Sequence, residues 1–232
     1  MLRSVLSLFV ALLLAACSSE KNEATRILEE SLINPRDLEF RDLETYPGGV
    51  VCGEFSAYTP ATRMKTDFAP FMTVRQKLYN PARKKDLAFY CTENSAQVLL
   101  ETTGIGPYDA NNTELAQITA DLDALDIALE AYYIDHYFYP TAEQGLGALV
   151  ARPEELDATQ PYPEGGYIES VPSDPWGRSY LYEEEQWGRT KGNFTVTTLG
   201  ADGVAGGGGK DADISTLLLP YLRHLAVVLE KD

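Results

Sequence analysis

Residues Leu199–Ile214 read L-G-A-D-G-V-A-G-G-G-G-K-D-A-D-I and bring three carboxylates, Asp202, Asp211 and Asp213, into one short stretch. The glycines between them carry no Cβ, so the backbone can fold over and turn carbonyl oxygens inward. Carboxylate and carbonyl oxygens are the donor set of a hard divalent cation. Calcium takes about 6–8 oxygens at flexible angles, which two or three Asp side chains with nearby carbonyls and water can supply. An acidic surface loop free in solvent has the same composition, so the reading turns on the elements that position these residues.

Other chemistry is poorly represented. No G-x-S-x-G elbow occurs, and neither His136 nor His224 has a Ser or Cys nucleophile context. These two are the only histidines and neither has a ligand at metal spacing, which excludes a zinc site. Gly206–Lys210 is not a phosphate-binding loop, because Val204 stands where the first glycine is required and Asp211 where Ser or Thr should follow Lys210. Gly206–Asp211 fits one copy of a calcium-binding glycine repeat, but such repeats need stacked neighbours and none is present in the sequence.

The 232 residues are 44% hydrophobic, enough for one ordinary domain or two small ones, and the net charge is −16. That balance argues against nucleic acid, whose phosphates call for clustered Lys and Arg. The charge is unevenly placed. Residues 18–108 carry 11 basic and 13 acidic groups, net −2, whereas residues 109–216 carry 5 basic and 20 acidic, net −15. This step divides the chain near Gly104–Asp109.

Met1–Ala16 has one early positive charge, Arg3, and then an apolar run that ends L-A-A-C at Cys17. The run is too short to span a membrane, which takes about 20 residues, and reads as a signal peptide over residues 1–16. Small residues before Cys17, followed by Ser18 and Ser19, resemble the lipobox of bacterial lipoproteins. The resemblance implies lipidation of the Cys17 sulfur and anchoring to a membrane, with Ser after the Cys pointing to the outer membrane and a chain facing the periplasm. Cys52 and Cys91 then remain. In an oxidising periplasm a disulfide between them is the simplest outcome, with two free buried thiols as the alternative.

Residues 17–108 read as a small α+β domain. Ile27, Leu28 and Leu32 mark an amphipathic helix over Lys21–Leu32 stopped by Asn34-Pro35, and the run N-P-R-D-L-E-F-R-D-L followed by V-V-C-G-E is similar to a small domain of exported bacterial proteins of unknown function. Strand-like pieces follow at Leu38–Leu43, Val50–Phe55, Phe71–Val74 and Leu87–Cys91. The basic triplet Arg83-Lys84-Lys85 reads as a solvated turn.

From Glu114 the apolar positions Leu115, Ile118, Leu122, Leu125, Leu129 and Tyr132 recur at spacings of 3 and 4, one stripe of a helix ending near Asp135 with Thr113 as its N-cap. Tyr132, Tyr133, Tyr137 and Phe138 form an aromatic cluster expected to pack in the core. Pro175-Trp176-Gly177 reads as a turn in which Asp174 accepts backbone N–H bonds, and Glu183-Glu184-Glu185 as a solvated turn. Tyr139-Pro140-Thr141, Glu143-Gln144-Gly145-Leu146, Gly165-Gly166-Tyr167, Asp174-Pro175-Trp176-Gly177 with Tyr180, and Leu199-Gly200-Ala201-Asp202-Gly203 ending in Asp211-Ala212-Asp213-Ile214 occur in that order. Together they resemble the globular domain of the major pseudopilin of type II secretion.

The resemblance implies an α+β, pilin-like domain over residues 109–216: a long N-terminal helix packed on a small antiparallel sheet, with a calcium loop. It names Asp202, Asp213 and Asp211 as carboxylate ligands and the Leu199 carbonyl as a backbone ligand. The chain departs from that family in having a separate domain ahead of the helix, where the family carries a prepilin leader and a continuous hydrophobic helix. This speaks against ordinary incorporation into a pseudopilus. Residues 217–232 form an added amphipathic helix opened by Pro220. The expected function is that of a membrane-anchored, non-catalytic, calcium-stabilised lipoprotein. It would act in envelope assembly or secretion through contacts with envelope or secretion-system proteins. The alternative is a periplasmic hydrolase of unrecognised type.

Overall fold

The structure, a computed structural model, describes residues 18–59, 63–107, 111–185 and 191–229. The signal-peptide and Cys17 expectations lie outside the described residues. The chain falls into two compact units, one ending at Val98 and the other beginning at Leu99, ahead of the charge step.

In the first unit helix α1 covers residues 18–31. The strands are β1 (Arg36–Tyr46), β2 (Val50–Thr59), β3 (Met64–Lys65), β4 (Ala69–Val74) and β5 (Lys77–Tyr79). They form an antiparallel sheet in the order β1-β2-β4-β5, with β3 paired to the far end of β2. Ala24 and Leu28 of α1 bury against Val51, Phe55 and Phe71, which the two-residue period of the strands puts on one face. Cys52 points to the other face. There it is bonded to Cys91, with Cα atoms 6.0 Å apart. Cys91 does not lie on a strand. The expected strand Leu87–Cys91 is instead the end of helix α2 (Lys84–Tyr90), whose C-cap is Cys91, so the bridge joins strand to helix. Arg83 occupies the N-cap position of α2 without a side-chain cap bond and pairs with the buried Asp86 at 2.6 Å, and Lys84 and Lys85 begin the helix, so the expected basic turn is a helix start.

Helix α3 (Ser95–Thr103) leads into the second unit, which is organised on helix α4 (Thr113–His136). Asn112, not Thr113, is the N-cap: its side chain accepts from the Leu115 N–H at 2.9 Å. The buried stripe is Leu115, Ile118, Leu122, Leu125, Ala128, Leu129 and Tyr132, the stripe the 3-and-4 spacing requires. It packs on the sheet formed by β6 (Leu181–Glu185), β7 (Asn193–Thr198) and β8 (Ile214–Ser215), antiparallel in that order. Glu183–Glu185 are therefore strand, paired with Thr195, Phe194 and Asn193. Tyr132 is fully buried, but Tyr137 leaves the aromatic cluster: it takes the left-handed conformation that ends α4, and its side chain is exposed.

Helix α5 (Leu219–Leu229) lies along α4 with Leu219, Leu222 and Leu225 buried, and Arg223 forms ion pairs with Asp123 and with Asp126. The C-terminal helix thus docks on its own chain. Among the described residues no helix is long and apolar enough to cross a membrane.

Candidate cation loop and its supports

Three tyrosines brace α4 from the chain that follows it. Tyr180 donates to Asp121 at 2.9 Å, Tyr139 to Glu130 at 2.8 Å and Tyr167 to Asp135 at 2.8 Å. Burial, reinforced by the Glu130 bond, pushes the Tyr139 hydroxyl up to about 12, and burial with a carboxylate partner raises Tyr180 and Tyr167 as well. All three are donors at neutral pH. The acids of α4 are in good part bonded within the unit.

Asp174 sits at the turn before β6 and is 4% exposed. Its Oδ1 accepts the N–H groups of Trp176 at 3.1 Å and Arg178 at 2.8 Å, and its Oδ2 accepts the Thr198 hydroxyl at 2.9 Å. Burial works against its charge. The bonds from the Arg178 amide, the Thr198 hydroxyl and the Trp176 amide, with the Arg178 guanidinium nearby, outweigh it and hold the carboxyl below its usual range. Thr198 is the last residue of β7, so this one carboxylate ties the Trp176 turn to the strand that launches the glycine loop.

The loop leaves β7 at Leu199, which is half-buried. Gly200 has φ +65°, and a Cβ there would lie 2.6 Å from the Asp211 carbonyl oxygen; Gly207, at φ +90°, closes on the same carbonyl. The Ala201 N–H donates to the Lys210 carbonyl at 2.8 Å, joining the two limbs. Asp202 is exposed and its Oδ1 accepts the Val204 N–H at 3.0 Å. Asp213 returns across the loop, its Oδ2 accepting the Gly206 N–H at 2.8 Å, while its Oδ1 is buried with no hydrogen-bond partner. Asp211 ends the tight turn Gly209–Asp211. Among the described residues no three His, Cys, Asp or Glu side chains gather into a group able to hold a metal ion. Asp202, Asp211 and Asp213 therefore share one glycine-closed loop without converging as a single carboxylate shell. Asp202 and Asp213 each turn toward a loop amide.

Two contributors were not legible from spacing. The Gly209 N–H donates to the Gly104 carbonyl at 2.8 Å, so the segment ahead of α4 backs the loop. Arg178 donates to the carbonyls of Gly200 and Ala201. A basic residue beside the Trp176 turn was the one hint for Arg178, and nothing local to Gly104 announced its part.

Residues 108–217 match the family described as type II secretion system (T2SS), protein G. The type II secretion system core protein G of Vibrio cholerae is 48% identical over 94 residues, covering 40% of this chain and 62% of the relative. That of Pseudomonas aeruginosa is 38% identical over 111 residues, covering 47% of this chain and 76% of the relative. The crystal structure of the major pseudopilin from the type 2 secretion system of enterohaemorrhagic Escherichia coli matches 46% of this chain and 88% of its own, at 34% identity and a TM-score of 0.37. The chain thus spans about three fifths of the length of the Vibrio relative and about three quarters of the Pseudomonas one. With the shared region running from the residues before α4 through β8, the chain belongs to the type II secretion system protein G family.

Proposed function

We propose that this protein works in type II secretion as a non-catalytic component, held to the membrane by a lipid on Cys17 and acting through contacts with other secretion-system proteins. Support for the secretion role comes from the 38% identity to the Pseudomonas core protein G, of which the chain covers 76%. The Cys17 anchor rests on the lipobox resemblance, and Ser18 after it supports an outer-membrane address with the chain facing the periplasm.

The loop Leu199–Asp213 is a calcium site in this reading. The observation that carries it is Asp213 Oδ1, a carboxylate oxygen buried without a partner in a loop whose other donors are oxygens. A buried, unpaired carboxylate oxygen is costly unless a cation or donor completes it. Asp213, Asp202 and Asp211 with the Leu199 carbonyl would hold the ion, and water would complete its shell. The ion would supply cohesion, not bond-breaking chemistry. Carboxylates that repel one another in the free loop are drawn together by the charge they share, so binding adds stability to the folded state by mass action.

Chelation with EDTA is expected to lower the melting temperature of the second unit, followed by tryptophan fluorescence, and Asp213→Ala is expected to melt at one temperature with and without chelator. Identical wild-type curves in EDTA and in calcium would refute the calcium site. The secretion role is tested by crosslinking in intact cells: recovery of secretion-channel proteins supports it, and recovery of unrelated envelope proteins alone opposes it.

A further inference from the structure

Arg178 stands more than twenty positions ahead of the loop, yet its guanidinium reaches one whole limb. Nη2 donates to the Gly200 carbonyl and Nη1 to the Ala201 carbonyl at 3.1 Å. Its Nε faces Asp174 Oδ2 at 3.4 Å, and its Cζ lies 5.5 Å from the ring centroid of Trp176. A Cβ on Gly203 would come within 2.7 Å of Nη1, so the chain beyond Asp202 closes on the same group. Carboxylate, indole and two carbonyls hold the planar fork from different sides, a geometry a guanidinium serves and an ammonium does not.

We propose that Arg178 is the positioning residue of the cation loop. By engaging the carbonyls of Gly200 and Ala201 it withdraws them from the ion and leaves the Leu199 carbonyl and the Asp202 carboxylate as the donors of that limb. The inference rests on the calcium reading and identifies what gives the site its shape.

Two effects of opposite sign act on cation affinity. A guanidinium near the ion repels it, but this one is balanced by Asp174 and its side chain is 37% exposed, so solvent and counter-charge screen it. Pinning acts the other way. Gly200 and Gly203 flank a limb with much backbone freedom to lose, and a limb ordered in advance binds more tightly. Preorganisation is therefore the larger effect.

The test titrates the purified full chain with calcium chloride by calorimetry, comparing wild type, Arg178→Gln and Arg178→Lys, with Arg152→Gln as a control because its guanidinium bonds the Asp157 and Gln160 carbonyls on another loop. Both Arg178 variants are expected to raise Kd by about tenfold, since neither keeps the fork that orders the limb, while Arg152→Gln leaves it unchanged. Hydrogen exchange in EDTA provides a readout free of calcium: amides of residues 199–206 should exchange faster in both Arg178 variants than in wild type. An unchanged or tighter Kd in Arg178→Gln would overturn the proposal, as would unaltered loop exchange in EDTA. Wild type that takes up no calcium would refute the calcium reading, and the exchange comparison would then decide the pinning on its own.

Discussion

Replacing Asp174 with alanine should be among the most damaging single changes in the second unit. The carboxylate is 4% exposed and accepts two backbone N–H groups and the Thr198 hydroxyl, while facing the Arg178 guanidinium. Truncation leaves the Trp176 and Arg178 amides and the Thr198 hydroxyl without their acceptor. Breaking a buried charged network of this kind costs about 3–5 kcal/mol. The partly exposed guanidinium adds little, because water can replace its side of the pair. Both tryptophans, Trp176 and Trp187, come after Leu99 in the sequence, so urea denaturation followed by their fluorescence reports on the second unit.

The pH dependence gives a sharper check. The Asp174 carboxyl is depressed in the folded state, so its contribution is present above the unfolded value, about 3.9, and is lost as pH falls through the folded value below it. The stability gap between wild type and Asp174→Asn should therefore be full at pH 7 and shrink below about pH 4. A loss under 1 kcal/mol for Asp174→Ala, or a gap that is the same at pH 7 and pH 3, would refute this account.

Removing the Cys52–Cys91 bridge by a double substitution to serine frees a loop of 39-residue separation and should cost the first unit about 4 kcal/mol through the entropy of its unfolded chain. Circular dichroism would report that loss, and the tryptophan transition of the second unit should stay where it was. Gly200→Ala should cost about 1–2 kcal/mol from its left-handed backbone alone, with more from overlap with the Asp211 carbonyl. A fluorescence denaturation curve matching wild type would contradict it.

The local sequence determined what repeats at short range. Six apolar positions spaced by 3 and 4 define the buried stripe of α4, and Asp174 followed by Pro175 and Gly177 defines a turn whose amides the carboxylate can cap. Those patterns work because the contacts they encode lie within one or two turns of chain. Leu87–Cys91 misled for the opposite reason. Five apolar and aromatic residues fit a strand and a helix equally well, and α2 gains its tether from Cys52, which no local period reveals. Asn112 and Thr113 can both cap, and the difference is one residue of register.

Glu183–Glu185 are strand because Asn193–Thr195 lie beside them and complete their backbone bonds, a pairing invisible from three like charges. Tertiary structure alone put Arg178 on the Gly200 and Ala201 carbonyls, Gly104 behind Gly209, and Asp213 Oδ1 in a buried place without a donor. Composition named the oxygens of the loop. Their direction depends on which distant groups arrive to bond them, and that is decided only when α4, β7 and the Trp176 turn pack together.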